Sequence, residues 1–470
     1  MAAVIAEMRR NPIRAPWLFG TGIGIVAVAL ILGYGLVVLG IAILVPVTVA
    51  ISERPQRGVL VLAALLPFDG MLHALGPAWT APWKQVFILA MFVATFFCPS
   101  EARAQVRRRI PGWVLAFCVL LAIGLVSAFF KDRNTALVGL RLSYFSAFIS
   151  LTVWRCPFTR RDRDHLVSVF LALSIITSVI GMWQQVVGHE YLHTLGYDYT
   201  ENIRFTSGFT MRSFSTFNLP FPFGFYLMLA ILIGFPMALA EPGRLRSKIF
   251  FISLPLVATA LLYSFVRGAM LGTAVGLLYL AFHRYKFLVY GIPIVIVAAL
   301  FIPSGSNLTG AVFSSSSLQD RTVSWNDRLD RFAENPLGTG IGTTGAAAEK
   351  AAKLNSLDPN ATYVPDNSWL KVLFELGVFG LWMMVAMLAS MFIFTRFVER
   401  RSNGIDRDFV NGAAAQLLAV FTASLVATYL ELTPMDQLFW LMAGVVATIA
   451  PVLADAAPDV GEAARARSAD

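Results

Sequence analysis

Charge is scarce in this chain, and that shortage excludes most classes of soluble protein. Only 14% of the 470 residues are charged and 57% are hydrophobic, whereas soluble globular proteins carry about 25% charged residues. With a mean hydropathy of +0.68, the chain has too little polar surface to cover its apolar residues in water, so a soluble cytosolic enzyme is excluded. The apolar runs are continuous rather than alternating, which excludes a transmembrane β-barrel.

Cysteine is also rare. Cys98, Cys118 and Cys156 lie in or next to apolar runs or in a basic loop, so the sequence predicts neither a disulfide framework nor a zinc–cysteine site. Arg9, Arg10 and Arg14 precede a first apolar run that has no small-residue cleavage box. We therefore expect this run to remain as a membrane anchor.

Long apolar runs dominate what is present. At about 20 residues per span they predict an all-α polytopic membrane protein with about 12–14 transmembrane helices and a small helical extracytoplasmic cap. The predicted spans are 17–33, 35–51, 57–75, 83–98, 112–130, 134–153, 164–187, 219–240, 247–264, 266–283, 286–302, 367–394, 408–430 and 435–454.

Basic residues orient these spans. With a cytoplasmic N-terminus, every short inner connection carries lysine or arginine, as the positive-inside rule requires. Long segments 188–218 and 303–366 then both lie outside, where we expect binding or chemistry. The resulting division is N-terminal helices 1–187, outer loop 188–218, central helices 219–302, large outer loop 303–366 with short helices, C-terminal helices 367–454, and a cytoplasmic tail, 455–470, expected to be disordered.

Several arginines depart from this inner placement. Arg267 lies at an outer turn, Arg141 near the outer end of an apolar run, and Arg204 and Arg212 in the first outer loop. A cation at membrane depth usually faces a partner or a cavity, and guanidinium groups bind phosphate well. These arginines therefore suggest a diphosphate site. The alternative is that they anchor helices at the lipid headgroups.

The large outer loop has two recognisable parts. Residues 318–334 have helical period, with Arg321 and Arg328 on one stripe with aromatic residues. This stripe suits either an interfacial helix on the lipid headgroups or a packing helix with ordinary surface arginines. Gly340 to Gly345 formally match G-x-G-x-x-G, but no strand precedes them, so a dinucleotide fold is rejected. These glycines either form an anion-binding nest before a helix over 346–354 or only permit tight turns.

The loop closes at Asp366 and Asn367, where a long apolar helix begins. A carboxylate at this outer position could act as a general base. It could equally be only a helix cap, which Asp and Asn favour. The residue types alone leave both interpretations open.

One motif points to different chemistry. His189-Glu190-Tyr-Leu-His193 matches H-E-x-x-H, the zinc metallopeptidase signature, which needs a helix presenting both histidines and a third ligand. Gly188 and Gly196 bracket the segment and restrict any helix to about two turns. A membrane zinc peptidase is therefore retained as a minor alternative, and no metal is expected.

The segments described above, taken in order, resemble the O-antigen ligase and polysaccharide polymerase superfamily of integral membrane glycosyltransferases. The resemblance covers about residues 200–395. The matching pieces are Arg212-Ser-Phe-Ser-Thr-Phe-Asn before a span, Ser264-Phe-Val-Arg267-Gly, and Trp325…Asn335-Pro-Leu-Gly-Thr-Gly340 followed by Asp366-Asn-Ser-Trp-Leu. Ligases of the family usually carry histidine immediately before the Asn-Ser pair, whereas this chain has Asp366.

The resemblance implies a metal-independent inverting transfer with no cofactor. The donor would be a polyprenyl-diphosphate-linked oligosaccharide, the acceptor a glycan or lipid core, and the setting the outer face of the bacterial inner membrane in surface polysaccharide biosynthesis. Asp366 would be the base, with Arg212 and Arg267 stabilising the leaving group. The other residues expected to hold the donor are Arg204, Arg141, Arg321, Arg328 and Asn367.

A transporter or flippase for a lipid-linked or anionic glycan is the main alternative. It predicts internal repeats or broken helices near the membrane midplane. The two halves of the sequence show no convincing repeat, and the arginines cluster at the outer edge. No feature of the sequence indicates nucleic-acid binding.

Overall fold

The computed structural model describes residues 54–75, 82–98, 110–199, 201–205, 210–289, 332, 335–356 and 367–449. In chain order its helices are α1 Pro55–Leu65, α2 Asp69–Leu75, α3 Trp83–Phe97, α4 Gly112–Ala128, α5 Arg133–Tyr144, α6 Ala147–Arg155, α7 Arg160–Thr194, α8 Pro220–Ala240, α9 Leu245–Tyr263, α10 Arg267–His283, α11 Gly345–Leu354, α12 Ser368–Arg401, α13 Gly404–Ala423 and α14 Met435–Ile449. Strands β1 Arg204–Phe205 and β2 Met211–Arg212 form one antiparallel pair, and short 3-10 turns cover Leu66–Phe68 and Tyr429–Glu431.

The chain is an all-α polytopic membrane protein. Among the described residues five helical stretches are long and apolar enough to cross a membrane, and α5 with α6, bent by 47°, form a possible sixth. Shorter apolar helices are α3, α4 and α14. Each apolar run predicted between residues 57 and 283 and between 367 and 449 coincides with a helix or a broken pair.

Some helix boundaries in the structure differ from those of the predicted spans. The predicted span 134–153 is interrupted between Tyr144 and Ala147, and 57–75 contains a 3-10 turn at Pro67. The predicted span 408–430 ends early, at Ala423, because the next residues form a turn whose carbonyl groups accept hydrogen bonds from Ser368. The predicted spans 17–33, 35–51 and 286–302 lie almost wholly outside the described residues, so the total of 12–14 stays a prediction.

Helix α8 lies at the centre of the bundle and is almost completely buried. Beside it, α10 packs closely on α13 through glycines spaced four residues apart. A Cβ atom at Gly272 would lie 3.0 Å from the Ala419 carbonyl oxygen, and one at Gly276 would lie 3.2 Å from that of Ala415. Such small residues allow membrane helices to approach backbone to backbone. This packing fixes α10, and therefore the position of Arg267 at its first residue.

Helix α12 is broken at Gly377, whose φ is +70° and ψ is −169°. The break leaves backbone groups that the helix cannot satisfy, and the glycine-rich segment before α11 pairs with them. Thr339 N donates to Phe374 O at 2.7 Å and Gly340 N donates to Glu375 O at 2.8 Å. Among the described residues, the protein's own backbone thus occupies the break, whereas the broken helices of transporters leave theirs open to ions or substrate.

Candidate functional site

The first two predicted arginines face each other. The two-stranded hairpin pairs Arg204 directly with Arg212. Directly opposed residues of an antiparallel pair have Cβ atoms about 4.5–5.5 Å apart, and like charges in that position repel. Two cations held this close form a local positive centre at the loop 188–218. Arg204 is exposed and Arg212 is half-buried.

The Arg212 guanidinium reaches the turn that precedes Arg267. Its Nε donates to Ser264 O at 3.2 Å and its Nη2 donates to Phe265 O at 3.3 Å. Its Cζ lies 4.9 Å from the centre of the Phe221 ring. Since α10 begins with Arg267, two residues after Phe265, the structure brings three of the predicted arginines into one corner of the bundle.

The backbone of this corner is strained. Among the described residues only three non-glycine residues have positive φ, and two of them are Ser215 at +54° and Phe265 at +51°. One follows Arg212 and the other precedes Arg267. Such strain costs of the order of 1–3 kcal/mol for each residue and tends to occur at functional sites.

Gln184, which the sequence analysis did not identify, holds the Arg212 segment in place. Its Oε1 accepts hydrogen bonds from Phe214 N at 3.1 Å and Ser215 N at 2.7 Å, and its Nε2 donates to Ser215 O at 2.8 Å. The neighbouring Gln185 donates from Nε2 to Met211 O at 2.9 Å. Two consecutive glutamines within an apolar helix were the available signal, because buried amides need partners.

The start of α12 lies against the same region. Ser368 N donates to Ser424 O at 2.9 Å and Ser368 Oγ donates to Ala427 O at 2.9 Å. This 424–427 turn also contacts α10, since a Cβ atom at Gly268 would lie 2.9 Å from Val426 Cγ2. The first turns of α10 and α12 therefore flank one short segment.

Asn367 caps α12. Its Oδ1 accepts from Trp369 N at 2.9 Å and Leu370 N at 3.2 Å, and the residue is only 7% exposed. Its carboxamide oxygen is thus used by the helix, and its predicted role in donor binding stays untested. Asp366, Arg321 and Arg328 lie outside the described residues, as does the predicted helix 318–334 except for Phe332.

One turn into α12, a buried ionic cluster follows. Lys371 Nζ lies 2.6 Å from Glu375 Oε2 and 2.7 Å from Glu431 Oε1, and the three side chains are at most 7% exposed. Glu375 Oε1 also accepts from Thr344 N at 3.0 Å. The cluster joins α12, the 3-10 turn Tyr429–Glu431 and the first residues of α11.

The glycine-rich segment uses its amide groups within the protein. Besides Thr339, Gly340 and Thr344, whose N–H groups are bonded to α12, Ile341 N donates to Ser127 Oγ at 3.2 Å. Gly342 has a φ of +80°, and a Cβ atom there would lie 2.4 Å from the Thr135 carbonyl oxygen. These observations favour tight turns and close packing over an anion-binding nest. The predicted helix 346–354 is confirmed as α11.

Arg141 has a different neighbourhood. It lies on α5, which packs on α11, and it is exposed. The pKa of Lys350 on α11 is lowered by partial burial and further by the positive charges of Lys84 and Arg141. Arg141 thus contributes to a positive area beside the cap, on other elements than those that carry Arg212.

The H-E-x-x-H segment forms the end of α7, after a break at Gly188. His193 Nδ1 lies 3.0 Å from Tyr197 O, and His189 Nε2 lies 3.1 Å from Glu190 Oε1. Within the described part of the chain no group of three or more potential metal-binding side chains comes together. No third ligand joins His189 and His193 there.

Two comparisons with known proteins indicate which proteins this chain is similar to. A family model described as O-antigen ligase matches residues 251–385. The chain is also 25% identical, over 304 residues, to a protein of Salmonella muenchen described as O-antigen polymerase; the alignment covers 60% of this chain and 74% of that protein. Over the parts that they cover, both matches show that the chain is similar to the O-antigen ligase and polymerase superfamily. It is thus a multi-pass membrane enzyme of the ligase or polymerase type.

The ligase-type region, 251–385, contains much of the site. It includes the turn at Ser264, Arg267, the glycine-rich segment, Asn367 and the break in α12. Arg204 and Arg212 precede it in sequence but are bonded to it through Ser264 and Phe265. The hairpin and Gln184 therefore hold Arg212, which precedes the matched region in sequence, against the turn at Ser264 within it.

Proposed function

We propose that this enzyme is a metal-independent inverting glycosyltransferase that transfers or polymerises a polyprenyl-diphosphate-linked oligosaccharide. Its place would be the outer face of the inner membrane, in surface polysaccharide biosynthesis of the O-antigen or exopolysaccharide type. The observation that carries the proposal is the pairing of Arg204 with Arg212 and the contact of Arg212 with the turn before Arg267.

The chemistry follows from the charges. The acceptor hydroxyl oxygen attacks the anomeric carbon on the side opposite the diphosphate, and the bond from that carbon to the phosphate oxygen breaks. The electron pair leaves with the polyprenyl diphosphate, and Asp366 takes the hydroxyl proton. Negative charge grows on the leaving group, where Arg212 and Arg267 stabilise it, with Arg204 assisting. Attack from the opposite side inverts the anomeric centre.

The remaining predicted residues hold the donor. Arg321 and Arg328 bind its phosphate oxygens from the large outer loop, and Arg141 contacts the lipid-linked donor from α5. Asn367 contributes its amide N–H groups while its oxygen caps α12. The acceptor is a glycan or a lipid core. Both chain termini lie in the cytoplasm, in keeping with the distribution of basic residues.

The test uses the full chain in proteoliposomes with a synthetic lipid-linked donor and no ion gradient. Arg212→Ala and Arg267→Ala should each lower product formation at least a hundredfold, the size expected for loss of one charge-stabilising donor. Arg57→Ala, which removes an exposed arginine from the other end of the bundle, should keep wild-type activity. Full activity of both site variants would refute the proposal.

The same assay separates the alternatives. A transporter would give no new glycosidic product without a gradient. A zinc peptidase would lose function in His189→Ala, whereas the transferase should keep its rate in that variant, because no proposed step involves the histidine.

A further inference from the structure

A cavity of about 360 Å³ lies at the opposite end of the bundle from the arginine corner. It is formed where three helices end: α7 begins at Arg160, α8 ends at Ala240 and α13 begins at Gly404. In a membrane protein, helix ends lie at the level of the lipid headgroups. The cavity is therefore at headgroup depth, on the side predicted to face the cytoplasm.

Its walls have two chemical characters. The floor is apolar, from Met237, Ile405 and Phe409. The rim is basic, with four arginines against two aspartates. This combination fits a molecule with an anionic head and an apolar body.

Two of the four arginines at the rim of the cavity have no ion-pair partner within the described part of the chain. Arg163 binds Asp406 through Nη2 at 2.8 Å, and Arg244 Nη1 lies 2.6 Å from Asp164 Oδ1. Arg160 and Arg161 are exposed and have no ion pair within the described part of the chain. The two aspartates are thus already engaged, and the excess positive charge belongs to Arg160 and Arg161.

We propose that this cavity binds the phosphate group of an anionic phospholipid from the surrounding leaflet. Basic hollows between membrane helices on the cytoplasmic side are suited to acidic lipid headgroups, and arginine pairs well with phosphate oxygens. The lipid's phosphate contacts Arg160 and Arg161, and its glycerol and first acyl carbons contact Met237 and Ile405. The bound lipid ties α7, α8 and α13 together at this end of the bundle.

The test titrates a fluorescent short-chain phosphatidylglycerol into the purified full-length protein in neutral detergent. The variant Arg160→Gln/Arg161→Gln should bind about thirtyfold more weakly, since each arginine near an anionic lipid contributes roughly a fivefold factor. The matched control Arg400→Gln/Lys248→Gln removes two exposed cations outside the cavity and should bind as the wild type does. Ile405→Trp fills the cavity without changing its charge and should also weaken binding.

Three results would overturn the proposal. Equal weakening in both double variants would mean that diffuse surface charge, not the cavity, retains the lipid. Unchanged binding in Ile405→Trp would exclude the cavity as the site. Binding of inorganic phosphate or of phosphatidylcholine as tightly as the anionic lipid would exclude an anionic phospholipid as the specific ligand. Thermal melting of each variant establishes that it is folded.

Discussion

The hydrogen bonds of Gln184 give a sharp test of how the arginine corner is built. Gln184→Met keeps the length of the side chain but removes its amide. Phe214 N, Ser215 N and Ser215 O then lose their partners. Phe214 and Ser215 are at most 1% exposed, so water cannot replace these bonds without moving the segment.

The loss of stability caused by Gln184→Met can be estimated from the three hydrogen bonds that it removes. A hydrogen bond between membrane helices contributes about 0.6 kcal/mol on average, whereas a buried group left unpaired costs about 1–3 kcal/mol. Three groups therefore give a loss of about 2–9 kcal/mol, concentrated in the segment that carries Arg212. Even about 2 kcal/mol changes a local opening equilibrium by roughly thirtyfold.

Hydrogen–deuterium exchange of the peptide containing residues 211–218 measures this opening directly. In Gln184→Met its amides should exchange at least thirtyfold faster than in the wild type, and glycan transfer should fall because Arg212 is no longer held at Ser264 and Phe265. Gln416→Met is the matched control, since Gln416 is also buried but lies on α13 and has no hydrogen bond to this segment among the described contacts. Unchanged exchange together with unchanged activity in Gln184→Met would refute the reasoning.

Further predictions concern other parts of the fold. Lys371→Met leaves two buried carboxylates without their cation, so thermal unfolding should show a loss of about 3–5 kcal/mol. Gly272→Leu overpacks α10 against α13 and should cost about 1–3 kcal/mol, whereas Gly243→Ala, with nothing within 4 Å, should be neutral in the same melting assay. Hydrogen bonds from the backbone and side chain of Thr135 lower the pKa of Asp132 to about 2. The ionised Asp132 therefore stabilises the folded protein above pH 4, and this contribution is lost as the pH falls towards 2. The difference in melting temperature between wild type and Asp132→Asn should shrink over that range.

The helices could be predicted from the sequence because apolar runs of span length have one stable form in a bilayer. Hydropathy does not report a break inside such a run, so it gives no sign that α12 is interrupted at Gly377. Averaging over a window treats that glycine as one more apolar residue, although its backbone turns out of the helix and pairs with the segment at Thr339 and Gly340.

The site could be predicted in part. A charged side chain near a membrane costs free energy unless it has a partner, so the positions of Arg212 and Arg267 beside apolar runs identified them as candidates. The contacts that bring them together could not be predicted, since they depend on a hairpin with two residues in each strand and on side-chain hydrogen bonds from Gln184. Strands this short leave no alternation to recognise, and a single sequence does not indicate which carbonyl groups a buried amide will meet.

The central claim, that Arg212 and Arg267 stabilise the same leaving group, is tested most directly by a double-mutant cycle. The measurement is the single-turnover rate of polyprenyl diphosphate release in wild type, Arg212→Ala, Arg267→Ala and the double variant. If both guanidinium groups act on one diphosphate, each single change should lower the rate about a hundredfold or more, and the double variant should lose less than the product of the two factors. Single variants that release the lipid at the wild-type rate, or losses that multiply without coupling, would contradict the account.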